Sequence, residues 1–356
     1  MNRFLQLHLL TAYPPANLNR DDQGRPKTAR MGGVDRLRVS SQSLKRHWRT
    51  SELFQTALGE HVGTRTKRLG VEVYHQLVDG GIKDKDALKW AGEIAGVFGK
   101  CKKADKNDPL NELEIEQLVH VSQDERQAVD QLAQVMVQEN RAPEKEELDL
   151  LRHNTSAADI ALFGRMLASK PAFNVEAACQ VAHAISVHPV VIEDDYFTAV
   201  DDLNDRSEDT GSAHIGETGF ASGLFYSYIC INREQLVDNL NGDKALADKA
   251  IAALIEAAIK VPPSGKQNSF AHQGYASYVL AESGDQQPRS LSVSFLKPIE
   301  TRGRNDDDYL TQAIKAIRTQ CDNFDQVYGA CADARYELSV AEQKGEMKAL
   351  LAFAAE

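Results

Sequence analysis

The chain has 356 residues, with 41 Lys and Arg against 52 Asp and Glu, a formal charge of −11 at pH 7. With 42% hydrophobic and 26% charged residues it has the make-up of a folded globular protein long enough for one large or two smaller domains, and not that of a disordered tail, a collagen or a coil. Five scattered cysteines without a C-x-x-C pair argue for reduced thiols, and the acidic total argues at first sight against a polyanionic partner.

The N-terminal segment FLQLHLL alternates as a strand does. It lacks a small-residue cleavage pattern, so no signal peptide is expected there, and no apolar run reaches the ~20 residues of a membrane span. Residues 11–33 read as a long loop, and 34–39, VDRLRV, as a strand. A helix should start at Ser40 or Ser41 and run to about Gly59. From 60 to 187 the pattern is mostly helical. Ser122 with Glu125 reads as a capping box for a helix to about Glu139, Pro143 could open another, and Asn174 could cap one through VEAACQVAHAIS. From His188 the chain turns extended, and FYSYICIN at 225–232 has strong strand character. Asn232 then caps a helix, and a second helix occupies 243–260. Strands at about 276–281 and 290–296 and a helix near 306–328 complete the series. Strands interleaved with helices predict one α+β sheet domain with inserted lobes.

The charge is segregated. Residues 20–49 hold nine basic and three acidic residues, a local +6 that leaves −17 for the rest; 108–147 holds three basic and eleven acidic, and 193–217 one and nine. Screening limits each charge to about 10 Å, so the local potential, not the total, decides whether a phosphate backbone is captured. At helical spacing Leu44, Trp48, Phe54 and Leu58 form an apolar stripe, and Gln42, Lys45, Arg46 and Arg49 lie opposite with no acid among them. Such a face is ordinarily just solvated. Here, however, Lys45 and Arg46 stand in the first turns, where the helix dipole disfavours cations by ~0.3–1 kcal/mol each. Ser40, Ser41, Gln42 and Ser43 offer hydroxyls, an amide and N–H groups at the same end, so an anion would relieve the conflict. Arg20, Arg25, Lys27 and Arg30 in the preceding loop, with Arg36 and Arg38 on one face of the strand, extend this into a track suited to a single nucleic-acid strand.

Other chemistry is weaker. Gly99-Lys100 lacks the rest of a P-loop, and there is no H-E-x-x-H. His183 and His188 are poorly spaced for a metal pair, His214 has no paired nucleophile or carboxylate, and Cys101 and Cys179 read as ordinary thiols. Asp194, Asp195, Asp201 and Asp202 could suggest a two-metal nuclease, but a solvated acidic hairpin explains them better. No catalytic residue, metal site or cofactor is expected.

At several blocks the sequence resembles the CasC family, the crRNA-binding backbone subunits of the type I-E CRISPR Cascade complex, within the RAMP superfamily. The blocks are LNRDD (18–22), GGVDRLRVSSQSLKRHWR (32–49), DIALFGRM (159–166), AHAISVHPV (182–190), YFTAVDDL (196–203), GSAHIGETGFASGLFYSYICIN (211–232) and VPPSGKQ (261–267). They run in order over most of the chain. The resemblance implies an α+β fold with an RNA-recognition-motif-like (ferredoxin-like) palm, a helical fingers insertion and a β-rich thumb. On this chain those fall at 1–58 and 225–356 for the palm, 59–187 for the fingers and 188–224 for the thumb. It implies guide-backbone contacts at Arg20, Lys27, Ser40, Gln42, Lys45, Arg46, Arg49, Lys266 and Gln267, with Arg38 joining them from the basic strand. It implies a wedge beside a kinked nucleotide at Met166 and Thr198, and an aromatic thumb segment at Tyr196 and Phe197. Unaided by the resemblance, a Met after Gly-Arg reads as core filler. The implied function is non-catalytic: copies stack head to tail along the crRNA, so that the guide pairs with target DNA. The implied partners are the large, small, crRNA-processing and 5′-handle-binding Cascade subunits, in the cytoplasm and away from membranes. A metal-dependent CRISPR endoribonuclease and a protein-only scaffold are the competing readings. Val34 departs from an expected basic residue, 137–147 is acidic where some relatives carry lysines, and 273–288 looks longer and more polar than expected.

Overall fold

The computed structural model describes residues 2–199, 214–300 and 307–356. In chain order its strands and helices are β1 (Phe4–Ala16), β2 (Thr28–Met31), β3 (Val34–Val39), α1 (Ser41–Arg49), α2 (Glu52–Leu58), β4 (Thr64–Thr66), α3 (Leu69–Asp79), α4 (Asp84–Phe98), β5 (Val119–Val121), α5 (Gln123–Glu139) and α6 (Ala158–Phe163). There follow β6 (Cys179–Val181), β7 (Ala184–Ser186), β8 (Glu193–Ala199), β9 (His214–Asn232), α7 (Arg233–Asn239), α8 (Lys244–Lys260), α9 (Gln267–Phe270), β10 (Ala276–Gly284), α10 (Tyr309–Tyr328), β11 (Ala334–Ser339) and α11 (Met347–Ala355). The chain divides into two units, one of residues 1–54, 181–230 and 254–356, the other of 55–180 and 231–253.

The first unit is built on a sheet in the order β11-β10-β1-β9-β7-β3-β2. Taking β1, β7, β9 and β10 as the four core strands, the order 10-1-9-7 is the 4-1-3-2 arrangement of a ferredoxin-like βαββαβ domain, with α1 after the first strand and α8 before the last. The β2–β3 hairpin widens one edge and β11 the other. Alternation along β1 assigns its side chains to two layers. Leu9 lines one small cavity with Val39, Leu44, Trp48, Phe225 and Ala258, residues of α1, the sheet and the end of α8. Leu10 joins Tyr226, Tyr278, Leu280, Phe295, Ile314 and Ile317 beneath α10. The α+β class expected from the sequence is the class observed. The antiparallel hairpin β8–β9 pairs Glu193 with Phe220 through Thr198 with Ile215.

In the second unit α3, α4 and α5 close over Leu69, Val73, Leu77, Trp90, Ile94, Phe98, Val129, Leu132 and Met136. The Ser122–Glu125 capping box is present in both directions, and α5 ends at Glu139 with Asn140 left-handed. Tight glycines serve this packing: a Cβ on Gly70 would lie 2.5 Å from the Leu113 carbonyl oxygen.

Several sequence expectations are corrected. The helix from Ser41 breaks after Arg49. The Thr50 hydroxyl donates to Arg46 O, and the Ser51 hydroxyl donates to Trp48 O while accepting from Phe54 N–H, which closes one helix and opens the next. The expected loop 11–33 is shorter, because β1 continues to Ala16 and 28–31 pairs with β3. No helix follows Asn174: its side chain caps Leu167 N–H, and the chain goes on to β6 and β7. Residues 292–295 form a 3₁₀ turn, not a strand, and only a 3₁₀ turn at 146–148 follows Pro143. The stretch 273–288 carries β10, which sits between β1 and β11.

Candidate nucleic-acid interface

The start of α1 is fixed from three directions. Ser40 is the N-cap, its hydroxyl accepting from Ser43 N–H at 3.3 Å. Ser40 N–H donates to Asn19 Oδ1 at 3.0 Å, and Ser41 N–H donates to His183 Nδ1 at 3.2 Å. The N–H groups of Ser41 and Ser43 are therefore already used, so the helix end offers fewer bare amides than the sequence suggested. Because α1 ends at Arg49, the dipole conflict expected for Arg46 is absent: Arg46 and Arg49 stand in the last turn, where cations are favoured. What the helix offers is a set of side chains in fixed places. Burial of Leu44 and Trp48, worth ~1.5–3 kcal/mol each, seats the helix on the sheet and turns Gln42 and Arg46 outward, with Lys45 and Arg49 half-exposed.

The loop before β2 is drawn onto this helix. Lys27 N–H donates to Asn19 O and Arg38 N–H to Lys27 O, each at 2.8 Å. The Asp21 carboxylate accepts from Gln23 and Arg25 N–H at 2.9 Å, so this acid organises the turn. Arg20 bridges to Pro26 through its backbone and leaves its side chain exposed. Asn17 Nδ2 donates to Gly24 O and Gly219 O, both at 2.9 Å, tying the loop to the root of the β8–β9 hairpin. Arg25 pairs there with Asp194 at 3.0 Å.

The 261–267 loop completes the face. His47 Nε2 accepts from the Ser264 hydroxyl at 2.7 Å, and its Nδ1–H donates to Ser43 O at 2.6 Å. A Cβ on Gly265 would come within 2.3 Å of Leu18 O, so the two loops are in backbone contact and only glycine fits. Lys266 takes a left-handed backbone (φ 53°) and reaches Thr218 Oγ1 at 3.4 Å, while Gln267 starts α9. The predicted residues Arg20, Lys27, Arg38, Ser40, Gln42, Lys45, Arg46, Arg49, Lys266 and Gln267 are thus gathered by α1, the strand β3 that leads into it and the two loops bound to it.

Arg36 is a correction. It does not share an exposed face with Arg38 but is fully buried, donating to Ser186 O (2.8 Å) and Phe295 O (2.9 Å) as an internal strut. Arg38 stays at the surface, with Nη1 3.4 Å from His183 Nδ1. Sequence reading missed Asn17, Asn19, His47, His183 and Ser264; the two asparagines in a turn-rich segment are the one local hint. Burial, then the charges of Arg38 and Lys27, push the His183 pKa down. Its ring stays neutral and accepts at Nδ1, leaving Nε2–H on the surface of the cationic face. Burial and Arg46 lower His47 against the raising effect of its bond to Ser43 O.

The remaining predicted residues lie elsewhere. Tyr196 and Phe197 on β8 are 65% and 43% exposed, and Phe197 covers Gly216, where a Cβ would strike its ring at 2.3 Å. Thr198 on the same strand is exposed. Met166, in the second unit, is 75% exposed and so is not core filler. Asp201 and Asp202 lie outside the described residues. Among the described residues no group of three or more His, Cys, Asp or Glu could hold a metal ion, and no helix is long and apolar enough to cross a membrane.

A ferredoxin-like palm with a cationic first helix and an added β-hairpin defines the structural class. The chain belongs to the CT1975-like protein family, which it matches over residues 5–355. It is similar over 99% of its length, and 100% of the other chain, to a chain of a CRISPR RNA-guided surveillance complex, pre-nicking, at 27% identity and a TM-score of 0.81. A chain of a CRISPR RNA-guided surveillance complex is similar at 25% identity and a TM-score of 0.61, over 99% of both chains. No curated protein matches the sequence.

Proposed function

We propose that this protein is a non-catalytic backbone subunit of a type I-E Cascade surveillance complex, several copies of which line one crRNA in the cytoplasm. The observation that carries the reading is the convergence of Lys27, Arg38 and Lys266 on α1, whose last turn carries Arg46 and Arg49, in a fold alike over 99% of its length to a surveillance-complex chain. Contacts of this kind go to phosphates and ignore sequence, as a subunit accepting any guide requires. Specificity then rests on base pairing between guide and target DNA, as in other RNA-guided systems. Met166 and the Tyr196–Thr198 strand are the proposed kinking elements: an apolar wedge unstacks a step, and continued backbone contacts offset the loss. Head-to-tail repetition gives an open filament. Further partners in this reading are the large, small, crRNA-processing and 5′-handle-binding subunits, and the reading needs no metal or cofactor.

Sequencing the RNA that copurifies with the assembled complex tests the assignment. Repeat-derived ends flanking varied spacers are expected; random cellular RNA, or none, overturns it. Labelled guide incubated with the protein and Mg²⁺ should stay intact. Cleavage abolished by Asp201→Ala would support the endoribonuclease instead.

A further inference from the structure

Met166 stands out in the second unit because its neighbours do the opposite. Arg165 and Leu167 are 5% and 4% exposed, while Met166 between them is 75% exposed. An exposed methionine on a loose loop would collapse onto the nearest apolar surface. Here the backbone is pinned on both sides, which fixes the direction in which the side chain leaves it. Arg165 and Val175 exchange both backbone hydrogen bonds at 2.9 Å, and Leu167 N–H donates to Asn174 Oδ1 at 2.6 Å. Gly164 makes the sharp entry with φ 80°, and a Cβ there would meet Val175 O at 3.0 Å.

The Arg165 side chain anchors this hairpin. Its Nη1 donates to both Glu125 oxygens, at 2.9 and 2.7 Å, and to His120 O at 3.3 Å. Its Nη2 donates to Arg152 O at 3.0 Å and Phe173 O at 3.2 Å. Both side chains of the pair are 1% exposed. Glu125 is also the capping-box residue of α5, accepting from Ser122 N–H at 3.0 Å, and it takes Arg152 N–H at 3.0 Å. One buried carboxylate therefore joins the start of α5, the 152 segment and the Met166 hairpin. Buried ion pairs contribute little net stability compared with apolar residues of similar volume, and their best-attested use is to fix geometry.

We propose that Arg165, clamped by Glu125, is a positioning residue that holds Met166 outward as a rigid wedge between bases of a single RNA strand, with Asn174 pinning the other side of the hairpin. This rests on the wedge role assigned to Met166 above. Rigidity is what a wedge requires, since a side chain free to fold back cannot hold two bases apart.

The test is 2-aminopurine placed at successive positions of an RNA bound by the purified chain, bright where a base is unstacked. Met166→Ala should remove the bright positions. Arg165→Lys keeps the charge but cannot span five acceptors, and Asn174→Ala frees the hairpin without burying a charge. Each should bring the signal at least halfway to the Met166→Ala level, in protein shown to be folded by its circular dichroism. If Met166→Ala leaves the pattern unchanged, the wedge reading itself fails. If Met166→Ala darkens it while Asn174→Ala and folded Arg165→Lys stay at the wild-type level, the wedge stands and the mount is refuted. A merely structural Arg165 would lower the melting temperature and leave the brightness of the folded complex unchanged. Should Arg165→Lys not fold, Asn174→Ala decides alone.

Discussion

Replacing Glu282 by Gln should cost the first unit about 3 kcal/mol. Glu282 lies on β10 with no exposed surface. Its carboxylate accepts from Arg289 at 2.8 and 2.9 Å, from Arg335 Nε at 2.7 Å and from His8 Nε2 at 3.1 Å. Gln keeps the shape but removes the charge and turns an amide donor toward a guanidinium. Breaking a buried pair from one side costs ~3–5 kcal/mol. Arg335 is 32% exposed and keeps Asp325 at 2.5 and 3.0 Å, so its share is largely recovered, whereas Arg289, at 16%, is left facing the amide; the lower end applies. For a unit of this size each kcal/mol moves the melting temperature by ~2–4 °C, so a fall of about 6–12 °C is expected. The pH dependence gives a second handle. Burial alone would raise the Glu282 pKa, but hydrogen bonds from His8 and Arg289 outweigh it and hold the group well below its ordinary 4.5. A depressed folded pKa stabilises above 4.5 and loses that contribution as the pH falls below it. His8 is lowered mainly by burial but raised by Glu282, so E282Q shifts its titration as well; comparing the two proteins in a His8→Asn background removes that difference. Scanning fluorimetry from neutral to acid pH should therefore show a gap between wild type and E282Q that narrows on acidification. Equal melting at neutral pH, or a gap that stays constant, would refute the reasoning.

Three further outcomes follow from the interface. Ser40→Ala removes the α1 cap and should lower stability by ~1 kcal/mol, read by urea titration, with weaker RNA binding in filter assays. Gly265→Ala forces the 261–267 loop off Leu18 O and should cost ~1–3 kcal/mol. Its RNA affinity should also fall; wild-type affinity would remove that loop from the interface. His183→Ala deletes the acceptor of Ser41 N–H, and His183→Asn, which can keep an acceptor there, should restore part of any lost RNA affinity. No difference between the two variants would leave His183 without a positioning role.

Features written in local chemistry were legible in the sequence. The Ser122–Glu125 box, the Asn232 cap and the Leu44–Trp48 stripe depend on residues a few positions apart, and each forms as read. Features decided by distant partners were not. Arg36 alternates with Arg38 as a surface pair would, but Ser186 and Phe295 carbonyls far along the chain take it inside. VEAACQVAHAIS has helical composition, yet β7 pairs with β3 and β9, and tertiary pairing overrides propensity. The role of Glu125 beyond its cap was invisible for the same reason: Arg165 lies 40 positions away. At the interface the cations were legible from charge segregation, whereas the asparagines and histidines that fix them were not, since nothing in their spacing announces a partner.

The most direct test of the central claim is the salt dependence of RNA binding by the Lys45→Ala, Arg46→Ala, Arg49→Ala triple variant. Each phosphate contact on a single strand contributes about 0.7 to the slope of log affinity against log salt. The triple variant should bind more weakly at low salt, with a slope shallower by about 2 units. A variant that binds as tightly as wild type, with the same slope, would contradict the assignment of α1 as the strand-gripping element.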